Sequence, residues 1–321
     1  MFDLIDTSKK AVMKVIGIGG AGVNAVNRMI SYNLEGVDFI TANTNISKLN
    51  ISSAPIKIQL GVELTKGLGA GGNVDVGKKA TIEVKDLLRR HLEGADMVFI
   101  TVGLGGGTGT GGAPIIAEIC KELDALTIAV VTKPFHFEGR VRNNQAEKGI
   151  SELRRIVDTL IVIPNQRLLD TGIQNLPFQE VLNKADDVLY NAVKSISDLM
   201  LILGHINVDF ADVKTIMSYK GVALIGTSTA DGENRAIEAT KKAILSPFME
   251  NKTIHGAHGV LLNITSGPDL SLNELKEAST LVHDHVHEDA HFIIGTVIDQ
   301  NMKDKIRITI VATGIENHEF N

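Results

Sequence analysis

Asp96-Met97-Val98-Phe99-Ile100-Thr101-Val102 runs directly into Gly103-Leu104-Gly105-Gly106-Gly107-Thr108-Gly109-Thr110-Gly111-Gly112, and an amphipathic pattern carried by Pro114, Ile115, Ile116, Ile119 and Leu123 comes next. This reads as a buried strand, a loop stripped of side chains and the start of a helix. Seven glycines in ten residues free consecutive backbone N–H groups to close around an anion, and the helix dipole adds its positive end. The ligand implied is a phosphate chain. A flexible linker of like composition has no reason to sit between a buried strand and an amphipathic helix.

A second loop of the same kind lies near the start, where Ala11-Val12-Met13-Lys14-Val15-Ile16-Gly17-Ile18 leads into Gly19-Gly20-Ala21-Gly22-Val23-Asn24. Gly17, Gly19 and Gly22 match a G-x-G-x-x-G dinucleotide fingerprint, which also needs an acid about 20 residues on to hold a ribose. That place is Ala42-Asn43-Thr44-Asn45 and holds no acid. A Rossmann-type NAD(P) oxidoreductase is therefore the alternative reading. Neither loop is followed by Lys-Ser or Lys-Thr, so neither is a Walker A motif. Two such loops suggest a nucleotide held by backbone amides, with a metal ion rather than a lysine offsetting its charge.

Composition bounds the class. The 321 residues are 44% hydrophobic and 22% charged, enough for a two-domain protein with a large core. A net charge of -6 without basic runs argues against nucleic acid as a partner. No window approaches ~18 apolar residues and Met1-Phe2-Asp3-Leu4-Ile5-Asp6 is no signal peptide, so a cytoplasmic location without membrane insertion is expected. Cys120 is alone, which excludes an intrachain disulfide and leaves a buried packing role.

Strands and helices alternate to about residue 165, with strands expected at Asp38 to Ala42, Met97 to Val102, Ala125 to Thr132 and Thr159 to Ile163. This is an α/β, doubly wound, mostly parallel pattern. A long helical pattern comes after it, from Val181 to about Leu203, with no breaker until Gly204. From Gly221 a smaller mixed-sheet unit is expected: a strand Val222 to Gly226, a helix Glu233 to Leu245, a strand Val260 to Thr265, a helix Leu272 to His287, and strands Phe292 to Ile298 and Ile306 to Ala312.

In an open parallel sheet the ligand sits outside the carboxyl ends of the strands, which puts Asn165 on the nucleotide face. The long helix starts nearby and covers roughly 38 Å at ~1.5 Å per residue, so the segment at its far end is remote from the phosphates. That segment is Asn207-Val208-Asp209-Phe210-Ala211-Asp212. Asp209 and Asp212, at i and i+3, can orient water or hold a hydrated cation. The plainer reading is that Asn207 or Asp209 caps the next helix.

Gly105-Gly106-Gly107-Thr108-Gly109-Thr110-Gly111 resembles the signature of the tubulin/FtsZ GTPase family, and Asn207-Val208-Asp209-Phe210-Ala211-Asp212 resembles its FtsZ branch's synergy loop. Thr65-Lys66-Gly67-Leu68-Gly69-Ala70-Gly71, Pro134-Phe135-His136-Phe137-Glu138-Gly139, Ile163-Pro164-Asn165 and Val311-Ala312-Thr313-Gly314 extend the resemblance over essentially the whole chain. It implies a protein that binds GTP or GDP with Mg²⁺. It also implies head-to-tail polymerisation with its own copies for bacterial cell division at a mid-cell ring, each subunit's hydrolysis site being completed by the next.

By the same resemblance the domains are 1–176 for GTP binding, 177–204 for a connecting helix and 205–321 for a C-terminal domain that begins with the catalytic loop. Gly20, Ala21, Gly22, Val23, Asn24, Ala70, Gly71, Gly107, Thr108 and Gly109 would lie at the phosphates. Glu138 and Arg142 resemble ribose and phosphate contacts; on spacing alone they form a surface ion pair. Asn165 and Asp186 resemble the guanine positions, whereas Asp186 beside Asp187 would otherwise be a solvated helix face. Asn207, Asp209 and Asp212 would be the catalytic residues.

Val23, Asn45, Val74, Leu182 and Leu203 depart from the family pattern. Leu182 stands where a Phe commonly meets the base. The sequence stops at Glu316-Asn317-His318-Glu319-Phe320-Asn321 without the family's linker and adaptor-docking peptide, either because it is truncated or because it is a divergent relative; division adaptor proteins are possible partners by the resemblance. A paralogue that binds nucleotide without hydrolysing it is a further alternative. His283 and His287 would share a helix face and could bind a transition metal, but the neighbouring Asp284, Glu288 and Asp289 favour a solvated surface, and no metal ligand is assigned.

Overall fold

The computed structural model of the protein describes residues 11–169, 176–202, 204–249 and 254–315. Apolar runs without alternation, such as Met97 to Val102, signal strands buried on both faces, and these strands make the centre of the molecule. They are β1 (Met13–Ile18), β2 (Val37–Asn43), β3 (Ile56–Gln59), β4 (Met97–Gly103), β5 (Leu126–Lys133) and β6 (Thr159–Pro164). Each pairs in parallel with its neighbours, in the order β3-β2-β1-β4-β5-β6. The winding reverses between β1 and β4, and a crevice at the carboxyl ends of those two strands is where such a sheet binds its ligand. Both glycine-rich loops leave the sheet there.

One face of the sheet is covered by the helices Gly19–Ser31 and Phe178–Leu201, whose Val26, Met29, Leu189, Val193 and Ile196 pack on Phe99 and Ile128. On the other face, Ile116 and Ile119 of the helix Gly107–Glu122 and Leu153 of Arg140–Ile156 meet Ile16, Ile100 and Val131. Each such aliphatic side chain contributes about 1.5–3 kcal/mol by leaving water. Cys120 is wholly buried in this second layer, and burial pushes its thiol up to about 12, so it packs as a small hydrophobe.

The second half carries β7 (Val222–Asp231), β8 (Gly259–Ser266), β9 (His291–Ile298) and β10 (Lys305–Ile315). It is mixed, as expected: β10 pairs antiparallel with β7 and β8, and β9 runs parallel to β8. It is not a separate sheet, because β7 joins β6 in parallel through Leu160 opposite Val222 and Ile161 opposite Ala223. That pairing closes an edge that β6 would otherwise leave open.

Several boundaries differ from the sequence reading. The helix expected to reach His287 spans Leu272–His283 and ends in a turn where the His285 ring meets the Leu281 carbonyl. His287, beyond its end, lies near Asp289 instead of sharing a helix face with His283. β7 continues to Asp231, five residues past Gly226, because β10 pairs with its whole length. The connecting helix has 24 residues, Phe178–Leu201, or roughly 36 Å; Leu203 and residues 316–321 lie outside the described residues.

Candidate functional site

The two loops meet because their glycines let backbones cross. A Cβ on Gly22 would lie 2.6 Å from the Thr101 carbonyl oxygen, so only a glycine lets the helix Gly19–Ser31 rest on β4. Gly19, at φ +72°, sets its backbone against Gly109 of the other loop. In the signature itself most glycines face protein. A Cβ on Gly107 would lie 2.6 Å from the Asn73 carbonyl, and one on Gly112 the same distance from the Thr81 hydroxyl, both belonging to the helix Val74–Glu83 or its cap. Gly20 and Gly106 alone among the cleft's loop glycines look into open space.

Between the loops lies a cleft of about 310 Å³ that brings together Gly20, Ala21, Gly107, Thr108, Gly109, Glu138, Arg142 and Asn165 of the expected residues, with Leu182 at its edge. Thr108 is fixed by a 2.7 Å hydroxyl contact with Thr44. Arg142 donates to Glu138 Oε2 at 2.6 Å, and Glu138 Oε1 accepts from the Phe135 amide at 2.9 Å. Asn165 is buried and its Oδ1 has no partner among the described residues. A buried acceptor left open costs about 1–3 kcal/mol unless a ligand donor reaches it.

Asp186 sits beside the cleft on the helix Phe178–Leu201, not in its lining. Its neighbour Asp187 takes the Arg28 guanidinium at 2.8 Å and the Tyr32 hydroxyl at 3.0 Å. Asp186 has neither partner, and burial pushes its carboxyl up to about 7. Gly22 and Val23 are buried beneath their helix, while Asn24 is exposed one turn along it. Ala70 and Gly71 belong to an adjoining loop held by the Ile46 amide on the Gly67 carbonyl and by Gln145 on the Gly72 carbonyl. Gly71 lines a second cavity, of about 540 Å³, with Asn73 and Lys148. Asn73 caps the helix that Val74 begins, accepting from the Asp75 and Val76 amides. Gly106, Leu104, Thr132 and Pro134 also line the cleft; Leu104 and Gly106 stand in the glycine loop and Pro134 opens a family motif, whereas Thr132 reads only as the end of a strand.

The other candidate residues lie at the far end of the 24-residue helix. Asn207 Oδ1 accepts from the Gly204 amide at 2.9 Å and closes a turn. Asp209 is the N-cap of the helix Phe210–Met217, its Oδ1 accepting from the Asp212 amide at 2.8 Å. The capping reading therefore holds for Asp209, which keeps its second oxygen free. Asp212 makes no side-chain hydrogen bond within the described residues. Among the described residues no group of three or more His, Cys, Asp or Glu could hold an ion. No described helix is long and apolar enough to cross a membrane.

A doubly wound sheet with two backbone-lined loops at its switch point, and an open buried acceptor beyond them, defines a nucleotide-binding protein. Residues 12–172 match the tubulin/FtsZ family GTPase domain, and residues 221–316 match the FtsZ family C-terminal domain. An empty FtsZ dimer from M. jannaschii is similar at 42% identity and a TM-score of 0.92, over 97% of this chain and 90% of that one. A mutant form of M. jannaschii FtsZ is similar at 43% identity and a TM-score of 0.91, over 95% and 92%. CetZ2 from Haloferax volcanii, a GTPgS-bound protofilament, shares the fold at 20% identity and a TM-score of 0.83, over 96% and 94%. The chain belongs to the tubulin/FtsZ family: it is a GTPase of that family with an FtsZ-like structure, and its nucleotide is a guanine nucleotide. The nicotinamide reading is set aside with that.

Proposed function

We propose that this protein polymerises head to tail on GTP and hydrolyses it at a site shared between subunits, in the cytoplasm, as the filament of a mid-cell division ring. The observation that carries the reading is the length of the helix Phe178–Leu201, roughly 36 Å, which starts beside the cleft and ends before the loop of Asp212. A carboxylate that far off cannot reach a water beside the γ-phosphate of its own chain, so the loop must serve the nucleotide of another. Two unlike apolar patches support the same contact. Leu68, Phe137, Val141 and Phe178 are exposed on the nucleotide side, and Ile202 and Ile206 flank the distant loop. Joining unlike patches gives a heterologous contact, which propagates as a filament unless rotation closes it. The M. jannaschii FtsZ dimer is a self-association of the same kind of chain.

Gly20, Ala21, Gly107, Thr108 and Gly109 would hold the phosphates through their amides, with Gly22, Val23, Asn24, Ala70 and Gly71 forming the loop walls. Asn165 and Asp186 would accept from guanine, whose ring N–H and exocyclic amine match an acceptor pair. Glu138 and Arg142 neutralise one another in the cleft, so among the described residues that line it no unpaired cation is left for the triphosphate. That fits Mg²⁺ held by phosphate oxygens and water, with no protein cage. When bound, the ion offsets the triphosphate charge. Asp212, with Asn207 and Asp209 shaping its loop, orients the attacking water; a carboxylate is a weak base, so positioning outweighs proton abstraction.

The test is phosphate release per subunit across a dilution series, with assembly monitored by light scattering. Activity should rise steeply where filaments appear. A specific activity that stays constant down to the monomer would overturn the shared site, and GTP binding without phosphate release at any concentration would leave the non-hydrolysing paralogue.

A further inference from the structure

We infer that Thr296, on the free edge of β9, is the positioning residue that holds the catalytic loop in reach of the neighbouring subunit's nucleotide. The inference rests on the shared-site reading and adds a part that lies some 90 residues further along the chain. The Thr296 hydroxyl accepts from the Ile206 amide at 2.8 Å, and the Thr296 amide donates to the Ile206 carbonyl at 3.0 Å. One threonine thus takes both backbone groups of Ile206, one residue before Asn207 and three before Asp209.

Close packing seals the same contact. A Cβ on Gly204 would fall on the Thr296 carbonyl, so the loop lies flat against the strand only because residue 204 has none. On the adjacent residue, a Cβ on Gly295 would lie 2.7 Å from Val208, whose side chain is buried beneath the loop. β9 is the last strand of the sheet, and its outer edge has no strand partner among the described residues. At Thr296 the loop takes that place. Within the loop, Asn207 and Asp209 already spend an oxygen each on Gly204 and Asp212. The segment from Gly204 to Asp209 therefore stands on the sheet through Thr296, which sets the N-terminal end of the helix that carries Asp212, while the other end of that helix is held by the Thr313 hydroxyl on the Ile216 carbonyl and the Thr159 hydroxyl on the Met217 carbonyl.

The decisive variant is Thr296→Val, which keeps the β-branched shape suited to a strand and removes the hydroxyl alone. The unpaired Ile206 amide is near the surface and can turn to water, so the loop loosens without unfolding the domain. GTP affinity, KM and the concentration at which filaments form should stay as in the parent, while kcat falls at least about tenfold, the scale expected when a reacting group drifts by a fraction of an ångström to an ångström. Thr296→Ser, which restores the hydroxyl, should restore turnover. Mixing Thr296→Val with Gly20→Leu subunits, which have an intact loop but a blocked nucleotide site, should also return part of it, because the defect lies in the loop lent to the neighbour.

If Thr296→Val fails to fold, Gly204→Ala reads the same contact from the other side and should give the same loss in kcat without a change in KM. A fully active Thr296→Val beside an inactive Asp212→Ala overturns the positioning role and leaves the shared site standing. Full activity in both overturns the shared site itself. A Thr296→Ser protein as slow as the valine variant would show that the hydroxyl is not the agent.

Discussion

The two ends of the helix Phe178–Leu201 are built by different means. At the nucleotide end, positions are set by backbone against backbone: Gly22 lies on the Thr101 carbonyl, Gly107 on that of Asn73, and Gly19 against Gly109. At the loop end two backbone contacts, Gly204 on the Thr296 carbonyl and the Thr296 amide on the Ile206 carbonyl, are joined by side-chain hydrogen bonds from Gly204 to Asn207, from Ile206 to Thr296 and from Asp212 to Asp209, which set where the loop points. The first kind of site is rigid before any ligand arrives and suits binding that must occur in every subunit. The second can shift by fractions of an ångström at little cost, which suits a part that acts only when docked on a neighbour. Substitutions at the first end should act nearly all-or-none, and those at the second should be graded and rescuable.

The largest expected effect is at Gly20. Its Cβ would enter open space at the cleft, so Gly20→Leu places a side chain in the proposed phosphate position without a clash at its Cβ. Nucleotide affinity should fall more than about 100-fold, an amount set by excluding the anion from its amides, with an unchanged circular dichroism spectrum and Tm. Gly107→Val should also abolish binding, but with a lower Tm, since its Cβ strikes the Asn73 backbone. Wild-type affinity in Gly20→Leu by equilibrium titration would break the comparison at its first term.

Next is Asp212→Ala. Binding and assembly should persist while steady-state phosphate release falls about 100-fold or more, the usual scale for a misplaced or missing positioning group. Adding Gly20→Leu subunits, each with an intact loop, should recover part of it. An additive loss with no recovery on mixing would mean that Asp212 serves its own chain.

How much of this was legible in the sequence depends on the same division. The strand, glycine loop and helix of 96–123 announced a phosphate site because a local pattern has a local physical meaning. What the pattern hid is that Gly107, Gly111 and Gly112 serve the neighbouring helix Val74–Glu83 and its cap, a contact between segments far apart in the chain. The doubly wound half was readable from its alternation. The pairing of β7 with β6 was not, since two residue pairs between distant strands leave no periodicity. Asp209 and Asp212 stood out by type and spacing, whereas Thr296 is one threonine among many in strands and became visible only when Ile206 was seen beside it. The end of the helix expected at His287 was misplaced because Leu272 to His287 keeps helical character in composition while the backbone turns at His283.

The third prediction sharpens the nucleotide end. Asp186 carries a carboxyl raised to about 7 by burial, so it is ionised at pH 8 and largely protonated at pH 6. Only the ionised form accepts both guanine donors. Preference for GTP over ATP should therefore narrow about tenfold between pH 8 and pH 6, the protonation penalty one unit below such a pKa, and Asp186→Asn should remove the pH dependence. Linkage has the opposite sign for the empty protein. A folded value above the unfolded one stabilises fully below the ordinary carboxyl value of 3.8, and that contribution is lost as pH rises through about 7. Competition titrations at the two pH values check the first statement. An unchanged preference would remove Asp186 from base recognition.

The smallest effect separates structure from chemistry at Asp209. As N-cap of Phe210–Met217 its side chain accepts from the Asp212 amide, so Asp209→Ala should cost about 1 kcal/mol of stability and also slow turnover by releasing the residue it holds. Asp209→Asn keeps a good cap and loses only the charge. If Asp209 acts through position alone, the asparagine variant should retain both the parent Tm and most of kcat, and the alanine variant should lose both together. If its free oxygen touches the water, asparagine should match the parent in Tm yet fall in kcat with alanine. Thermal unfolding and phosphate release on the two variants decide between these, and the first outcome is the one expected from a loop in which Asn207, Asp209 and Thr296 hold the backbone and Asp212 alone keeps its carboxylate free.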